Sequence, residues 1–287
     1  MYYTSAFSRF NGKKYTIDSD KEVDHIINWI KEQFAMYGEN TKAVIGMSGG
    51  KDSTIAAALL KEALGPDRVV GVIMPENVMK DKDLAKVICD HLKIKTSIIN
   101  IGEITERFYD AYRRELYSND PDADVDISMV LTNTPARIRM AMLYAVASSC
   151  HGRVVDTCNA SEIYVGWSTK WGDGAGDFAL FHDYPVRYVK MIGYELAKRG
   201  VILEHWVDKI PDDGMCGYSD EEKFGFSYDE LDDYMINGIT PDVDKLTKMK
   251  SMYKRGRHKE CSIRLDHPRL LTEHEEDKVW VPEIDPW

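Results

Sequence analysis

A short apolar segment that leads directly into a glycine-rich turn is the feature that most constrains the fold of this chain. Residues 43–47 are apolar and have the length of a buried strand, and a helical pattern follows over 53–64. Between them lies the segment Gly46-Met47-Ser48-Gly49-Gly50-Lys51-Asp52-Ser53. Glycines let the backbone turn sharply and bring several N–H groups toward one point, at which the following helix aims its positive dipole end. The segment therefore predicts a phosphate or pyrophosphate site, although a glycine turn with incidental charges is the alternative.

Strand and helix patterns alternate along the first half of the chain. Helices are predicted over 20–37, 53–64, 81–92 and 104–116, and strands over 43–47, 69–74, 97–101 and 153–157. Thr134 followed by Pro135 predicts an N-cap and a first helical residue, opening a helix that ends near Cys150. This alternation implies parallel pairing, so we expect an α/β fold with a doubly wound parallel sheet and helices on both faces.

Composition excludes several classes of protein. Lys and Arg total 37 against 48 Asp and Glu, and the resulting net charge of −11 disfavours a nucleic-acid partner. No apolar segment reaches membrane-spanning length and the first twenty residues lack the apolar core of a signal peptide, so we expect a cytoplasmic protein with no membrane partner. The chain has five cysteines, an odd number, and no CxxC motif, which argues against a disulfide scaffold, a zinc ribbon and a dithiol redox site.

The phosphate loop differs from a Walker A motif. Lys51 is followed by Asp52 instead of Ser or Thr, and its spacing from Gly46 is wrong for that motif. A carboxylate inside a phosphate loop would repel the ligand unless a cation lies between them. Asp52 therefore implies a magnesium ion.

Two acidic stretches are interpreted as surface loops. The aspartates within 120–126 alternate as in a calcium loop, but Val125 occupies the glycine position and Leu131 the terminal glutamate position, so an EF-hand is excluded. Residues 212–213 and 219–222 are interpreted as polar loop that precedes a helix over 228–235.

Three motifs follow the loop in a defined order: ARxRM at 136–140, NxSE at 159–162 and TKxGDxxxD at 169–177. Together with SGGKDS at 48–53, they resemble the NAD synthetases, a branch of the N-type ATP pyrophosphatase family. Segments 214–222 and 228–232 resemble the lid and following helix of that family, and His258-Lys259 stands where the family carries a similar pair. The resemblance implies an adenine nucleotide alpha hydrolase-like fold. It divides the chain into an N-terminal extension (1–21), a synthetase domain (22–262) and a C-terminal tail (263–287).

The resemblance also implies an activity. Members of the family adenylate the nicotinate carboxylate of deamido-NAD with ATP, and ammonia then displaces AMP to give NAD. Glutamine-dependent members carry an additional amidase domain, for which the twenty or so residues before the first helix are too few. We therefore expect a ligase that uses free ammonia, binds magnesium and forms a homodimer with a shared active site.

Individual roles follow from the same resemblance, residue by residue. Lys51 and Asp52 are the expected catalytic residues, and Asp52 and Glu162 the expected magnesium ligands. Taken alone, Glu162 is more typical of a residue that the dipole favours at a helix start, and the neighbouring motif favours the metal role. The expected ATP-binding residues are Gly46, Met47, Ser48, Gly49, Gly50, Lys51, Asp52, Ser53, Thr157 and Arg187. The expected deamido-NAD-binding residues are Arg137, Lys170, Asp177, His258 and Lys259.

Three positions depart from the family pattern. Arg187 is the candidate substitute for a second ATP-binding lysine, Asp212 replaces a lid threonine, and Ile73 stands in place of an adenine-side arginine. Two alternatives stay open: another synthetase of the same loop family, such as a GMP synthetase subunit, and a non-catalytic nucleotide sensor, which only the altered Asp212 and Val186 positions favour. A tRNA-thiolating enzyme is disfavoured by the absence of metal-cluster cysteines and by the negative charge.

Overall fold

A five-stranded sheet, entirely parallel, organises the fold. The computed structural model describes residues 17–77, 82–119, 127–208 and 219–260. The strand order is β3-β2-β1-β4-β5. The strands are Lys42–Gly46 (β1), Val69–Ile73 (β2), Lys95–Ile98 (β3), Gly152–Asp156 (β4) and Phe178–Ala179 (β5). The strand order reverses beside β1, and ligands of such sheets bind outside the carboxyl ends of the strands at that point.

Helices pack against both faces of the sheet. In β1, Ala43 and Ile45 join the core formed with α1, α2, α3 and α7, whereas Val44 faces the opposite core, formed with α5. Every helix in the described part of the chain falls short of the length or the apolar content that a bilayer crossing needs. The helices are Ser19–Ala35 (α1), Lys51–Leu64 (α2), Lys82–Leu92 (α3), Gly102–Asn119 (α4), Ser128–Ser149 (α5), Ala160–Val165 (α6), Val186–Lys198 (α7), Asp220–Phe224 (α8), Tyr228–Asn237 (α9) and Val243–Glu260 (α10).

The predicted architecture is confirmed. Apart from the helix assigned to Pro135, the predicted strands and helices that fall within the described residues are present, with ends moved by up to three residues. The predicted doubly wound parallel sheet with helices on both faces is the observed one. Residues 1–16, 78–81, 120–126, 209–218 and 261–287 lie outside the described residues. They include the calcium-like segment, most of the lid and the C-terminal tail.

The predicted start of α5 is wrong. The helix begins at Ser128, so Thr134 is not its N-cap and Pro135 lies inside it. Proline lacks the N–H that would bond the carbonyl four residues earlier, that of Leu131. The hydroxyl of Tyr109, on α4, donates to this carbonyl oxygen at 2.9 Å. A neighbouring helix therefore supplies the hydrogen bond that the proline removes, and α5 continues through it.

The interpretation of residues 219–222 as a surface loop is also wrong. Ser219 accepts a hydrogen bond from the N–H of Glu222, whose carboxylate accepts one from the N–H of Ser219, and this capping box starts α8. Asp220, the first residue of the helix, is 4% exposed. Its carboxylate is therefore directed into the molecule instead of toward solvent.

Candidate active site

The glycine turn lies at the carboxyl end of β1 and is closed by its own hydroxyl groups. Gly49 has a φ of +78°, a left-handed conformation that glycine adopts without strain. The Oγ of Ser48 accepts from the N–H of Gly50 at 3.1 Å and lies 3.1 Å from the Oγ of Ser53. Among the described residues, no side chain caps the N-terminus of α2. The first N–H groups of α2 are thus presented to a ligand, as the predicted phosphate site requires.

Lys51 and Asp52 form a largely buried ion pair at the start of α2. The Nζ of Lys51 donates to Oδ2 of Asp52 at 2.8 Å, and the lysine side chain is 2% exposed. Burial by itself lowers the pKa of Lys51, but the negative charges of Asp52 and Glu162 outweigh burial, so the pKa is raised and the lysine remains a cation. The second oxygen of Asp52, Oδ1, is buried without a hydrogen-bond partner in the described part of the chain. A buried carboxylate oxygen without a hydrogen bond is destabilising unless a cation or a hydrogen-bond donor binds it.

Glu162 approaches the same place from α6. Its Oε2 accepts from the N–H of Asn159 at 3.1 Å, and the Oδ1 of Asn159 accepts in return from the N–H groups of Ser161 and Glu162. This capping box gives Glu162 the helix-start position considered for it from the sequence. Burial raises the pKa of Glu162, and the negative charge of Asp52 raises it further against the opposing effect of Lys51. Glu162 and Asp52 are therefore close enough to repel each other.

These two carboxylates fit a magnesium ion that is bound together with phosphates. In the described ranges, no group of three or more Asp, Glu, His or Cys side chains is arranged to hold a metal ion by itself. Magnesium is usually held by one or two carboxylates and completed by water and substrate phosphate oxygens. The unpaired Oδ1 of Asp52 and the mutual repulsion of Asp52 and Glu162 are the features that such an ion would compensate.

Asp220 and Tyr228 complete the surroundings of Lys51, and neither was predicted from the sequence as a site residue. The hydroxyl of Tyr228 donates to Oδ2 of Asp220 at 3.2 Å, and its ring centroid lies 6.0 Å from the Nζ of Lys51. The negative charge of Asp220 also contributes to the raised pKa of Lys51. The Ser219–Glu222 capping box is visible in the sequence and could have indicated α8, but not the contact of α8 with a lysine 169 positions away.

A second group of side chains, here called the cationic cluster after its arginine and two lysines, consists of Arg137, Lys170 and Lys259 together with the neighbouring His258. The Nε of Arg137 donates to the carbonyl oxygen of Lys170 at 3.2 Å, and the Nζ of Lys170 donates to the carbonyl oxygen of His258. The Nζ of Lys259 donates to the carbonyl oxygens of residues 166 and 168, at 2.7 and 2.6 Å. The tertiary structure thus brings together four of the five residues expected to bind deamido-NAD, from α5, from the loop after α6 and from α10.

The fifth residue, Asp177, makes its contacts with β4 and α5. Its Oδ2 accepts from the N–H of Val154 at 2.8 Å, and its Oδ1 accepts from the hydroxyl of Tyr144 at 3.3 Å. Asp177 thereby anchors the entry to β5, and its role in binding remains a prediction.

Comparison with known families shows which family this chain belongs to. Residues 22–263 match the model of the NAD synthase family. The chain belongs to the NAD synthase family. A curated relative from Pyrococcus horikoshii, named NH(3)-dependent NAD(+) synthetase, is 36% identical over 230 residues, which are 80% of this chain and 82% of the relative. As a member of the family, the chain is a ligase that forms a carbon–nitrogen bond and uses ATP.

Solved structures confirm the fold of this NAD synthase family member. The structure of an NMN synthetase from Francisella tularensis matches with a TM-score of 0.75 and 27% identity, covering 89% of this chain and all of that one. The NAD+ synthetase from Burkholderia pseudomallei matches with a TM-score of 0.67 and 25% identity, covering 89% of this chain and 94% of that one. The N-type ATP pyrophosphatase fold implied by the motifs is therefore confirmed.

Arg187 and Thr157 are the two expected ATP-binding residues that lie outside the phosphate loop. Thr157 is half-buried and directly follows β4, at the ligand-binding edge of the sheet. The guanidinium of Arg187 donates instead to Oδ1 of Asp233 at 2.6 Å and to the carbonyl oxygen of Asp229 at 3.2 Å. The hydrogen bond to Asp233 raises the pKa of Arg187. The structure thus places the Arg187 side chain on α9, and its role toward ATP remains a prediction.

Arg139 places a cation at the end of β2, where the strand itself has none. Ile73, which stands in place of the family arginine, is fully buried. The Nε of Arg139, on α5, donates to the carbonyl oxygen of Met74 at 3.1 Å. Burial lowers the pKa of Arg139 while the carboxylate of Glu76 opposes that effect. In the sequence Arg139 is recognisable only as part of the ARxRM motif, because its distance in sequence from β2 hides this contact.

Proposed function

We propose that this NAD synthase family member is an ammonia-dependent NAD+ synthetase. ATP adenylates the nicotinate carboxylate of deamido-NAD, and ammonia then displaces AMP from the mixed anhydride to give the amide. The observation that carries the proposal is the phosphate loop. There the uncapped N-terminus of α2, the buried Lys51 and the unpaired Oδ1 of Asp52 meet at the carboxyl end of β1.

Both chemical steps need positioning and charge neutralisation rather than a protein nucleophile. In the first step a carboxylate oxygen bonds to the α-phosphorus of ATP and the bond to pyrophosphate breaks. In the second, the nitrogen of ammonia bonds to the acyl carbon, the bond to AMP breaks and a proton is released. The N–H groups of α2 and the Nζ of Lys51 stabilise the negative charge that develops on pyrophosphate as it leaves.

Asp52 and Glu162 are the proposed magnesium ligands. When bound, magnesium would neutralise negative charge on the phosphate oxygens of ATP and so favour the departure of pyrophosphate. The pairing of Lys51 with Oδ2 of Asp52 leaves Oδ1 as the oxygen available to the ion. This assignment is supported by the raised pKa of Glu162, whose causes are burial first and then the proximity of Asp52.

The cationic cluster is the proposed deamido-NAD site, and we propose that a homodimer completes it. Large apolar side chains are exposed on α4 and α5: Phe108 at 48%, Met129 at 62% and Tyr144 at 38%. Arg137 and Tyr144 are seven positions apart and therefore share a face of α5. A partner packed on this face would lie beside the cluster, which supports a shared site.

The reaction is tested by incubating the protein with ATP, magnesium and deamido-NAD, together with either ammonium or glutamine. Mass spectrometry follows NAD and AMP in the same samples. Equal amounts of the two products with ammonium alone are the expected result. Product formed only with glutamine would contradict free ammonia as the nitrogen donor, and absence of both products would contradict the proposed function.

A second candidate substrate is nicotinate mononucleotide. The observation that favours it is the match to the Francisella tularensis NMN synthetase, whose TM-score of 0.75 exceeds the 0.67 of the Burkholderia pseudomallei NAD+ synthetase. The same amidation chemistry would then yield NMN. The ratio of kcat/KM for deamido-NAD to that for nicotinate mononucleotide decides between the two substrates.

The remaining alternatives give different outcomes when the same assay is repeated with xanthosine monophosphate in place of deamido-NAD. A GMP synthetase-like ligase would turn over xanthosine monophosphate with ammonium. A non-catalytic sensor would bind ATP and release no AMP with any of these substrates. Either result would replace the proposed function.

A further inference from the structure

Two backbone segments of this protein touch at a pair of glycines. Gly166 ends α6 with a φ of +66°, and Gly256 lies within α10. A Cβ atom on Gly256 would lie 2.7 Å from the Cα of Gly166 and 3.1 Å from its nitrogen. A Cβ on Gly166 would lie 2.6 Å from the Cα of Gly256. These atoms belong to the backbone and cannot rotate away, so any side chain at either position must separate α10 from α6.

The glycine contact lies next to the interactions that hold the cationic cluster. Lys259 follows Gly256 by three residues, less than one helical turn, and its Nζ donates to the carbonyl oxygens of Gly166 and Ser168. The carbonyl oxygen of His258 accepts from the Nζ of Lys170. The last turn of α10 and the loop after α6 therefore position each other, and they do so at the point where the two glycines meet.

A ring contact fixes the same two helices one turn earlier. Tyr164, on α6, stacks on Tyr253, on α10, with ring centroids 4.7 Å apart. Glycine is among the poorest helix formers, so Gly256 weakens α10 considered alone. Its benefit is that it allows α10 and α6 to approach closely, and Lys259 needs this closeness to form its hydrogen bonds with the loop after α6.

We propose that Gly256 is a positioning residue for the nicotinate nucleotide substrate, acting through the backbone contact with Gly166 that aligns Lys259 and Lys170. The inference rests on the proposed function, since it assumes that the cationic cluster binds that substrate. The phosphate loop is closed by hydrogen bonds within residues 48–54, and Glu162 is held at the opposite end of α6 by its capping box with Asn159, so neither depends on this contact. Gly256 should therefore affect binding of the nicotinate nucleotide and leave binding of ATP unchanged.

Gly256→Ala tests the proposal, with Ser251→Ala as the matched control. Ser251 is an exposed residue of the same helix, so its replacement adds no steric conflict. In Gly256→Ala we expect the KM for deamido-NAD to rise by at least about tenfold, because displacements of about 1 Å can have effects of this size. The KM for ATP should stay within about twofold of the wild-type value. Far-UV circular dichroism should show unchanged or increased helix, since alanine favours helix over glycine.

Two further measurements separate positioning from a general structural role. Hydrogen exchange should accelerate at residues 166–170 and 256–259 in Gly256→Ala and stay unchanged in the phosphate loop. In the Lys259→Ala background, adding Gly256→Ala should raise the nucleotide KM no further, because both changes remove the same alignment.

Failure of the inference and failure of the proposed function give different results. An unchanged KM for deamido-NAD in Gly256→Ala, or equal rises for both substrates, would overturn the inference while NAD formation by the wild type stands. Absence of NAD formation by the wild type would overturn the proposed function. In that case calorimetry would measure the affinity of each protein for deamido-NAD and for nicotinate mononucleotide. If Gly256→Ala bound each nucleotide as tightly as the wild type does, the inference would be overturned too.

Discussion

Asp52 uses its two carboxylate oxygens differently. One accepts from Lys51 at 2.8 Å, and the other is buried with no partner in the described residues. An unpaired buried oxygen destabilises the protein by itself, so its presence at the start of α2, beyond the carboxyl end of the central strand, is an indicator of ligand binding.

Asp52→Asn removes the proposed metal anchor and half of the ion pair with Lys51. We expect kcat/KM for ATP to fall by more than about 100-fold, equivalent to about 3 kcal/mol of transition-state stabilisation. Steady-state kinetics over a magnesium titration provide the measurement. Asp67→Asn, at an exposed carboxylate in the turn after α2, should keep wild-type kinetics. An Asp52→Asn enzyme within about threefold of wild type would refute the metal assignment.

Asp156, at the end of β4, gives a pH dependence to stability. Burial raises its pKa from about 3.9 in an unfolded chain to about 7 in the folded protein. The N–H of Cys158 donates to the carboxylate and lowers the pKa, but burial has the larger effect. The folded state therefore binds this proton more tightly. The stabilisation is complete below about pH 4 and is lost as the pH rises to about 7.

Asp156→Asn should remove this dependence, because asparagine does not titrate and can still accept from the N–H of Cys158. Relative to wild type, the free energy of unfolding of the variant should increase by on the order of 2 kcal/mol between pH 5 and pH 7.5. Urea unfolding at several pH values measures the difference. A difference that does not change with pH would show that Asp156 is ionised throughout this range.

At the scale of elements, α4 supplies a hydrogen bond that α5 lacks. Pro135 removes the hydrogen-bond donor for the carbonyl of Leu131, and Tyr109 on α4 replaces it. Tyr109→Phe should destabilise the protein by about 1 kcal/mol, the typical net contribution of one hydrogen bond. In the Pro135→Ala background the helix regains its own donor, so the same substitution should have almost no effect. Unfolding by urea of the four proteins of this double-mutant cycle measures the coupling, and equal effects of Tyr109→Phe in both backgrounds would disprove it.

At the scale of the whole molecule, the exposed apolar face of α4 and α5 is the surface on which we place the interface of the proposed homodimer. Phe108→Lys combined with Met129→Lys should shift the proposed homodimer to a monomer, because each lysine places a charge in the interface. Analytical ultracentrifugation measures the mass. Met36→Lys, at the end of α1 and 67% exposed, is the control and should leave the dimer intact. A wild-type protein that sediments as a monomer would contradict the shared site.

The sequence by itself determined the sheet, the phosphate loop and the family. Strand and helix periodicities are local, and so are the glycines of residues 46–50 and the motif order, so each could be read from neighbouring residues. Local patterns failed at Pro135, which has the features of a helix start, and at Ser219–Glu222, where acidic composition masked a capping box.

Only the tertiary structure decided which distant residues act together. It placed Asp220 beside Lys51, Arg139 at the end of β2, the guanidinium of Arg187 on α9, and Gly256 against Gly166. In each of these contacts, the two residues are close in space although they are far apart in the sequence. The physical reason is that burial and electrostatic interactions depend on how helices pack over the sheet, and packing is decided by the whole core rather than by any local pattern.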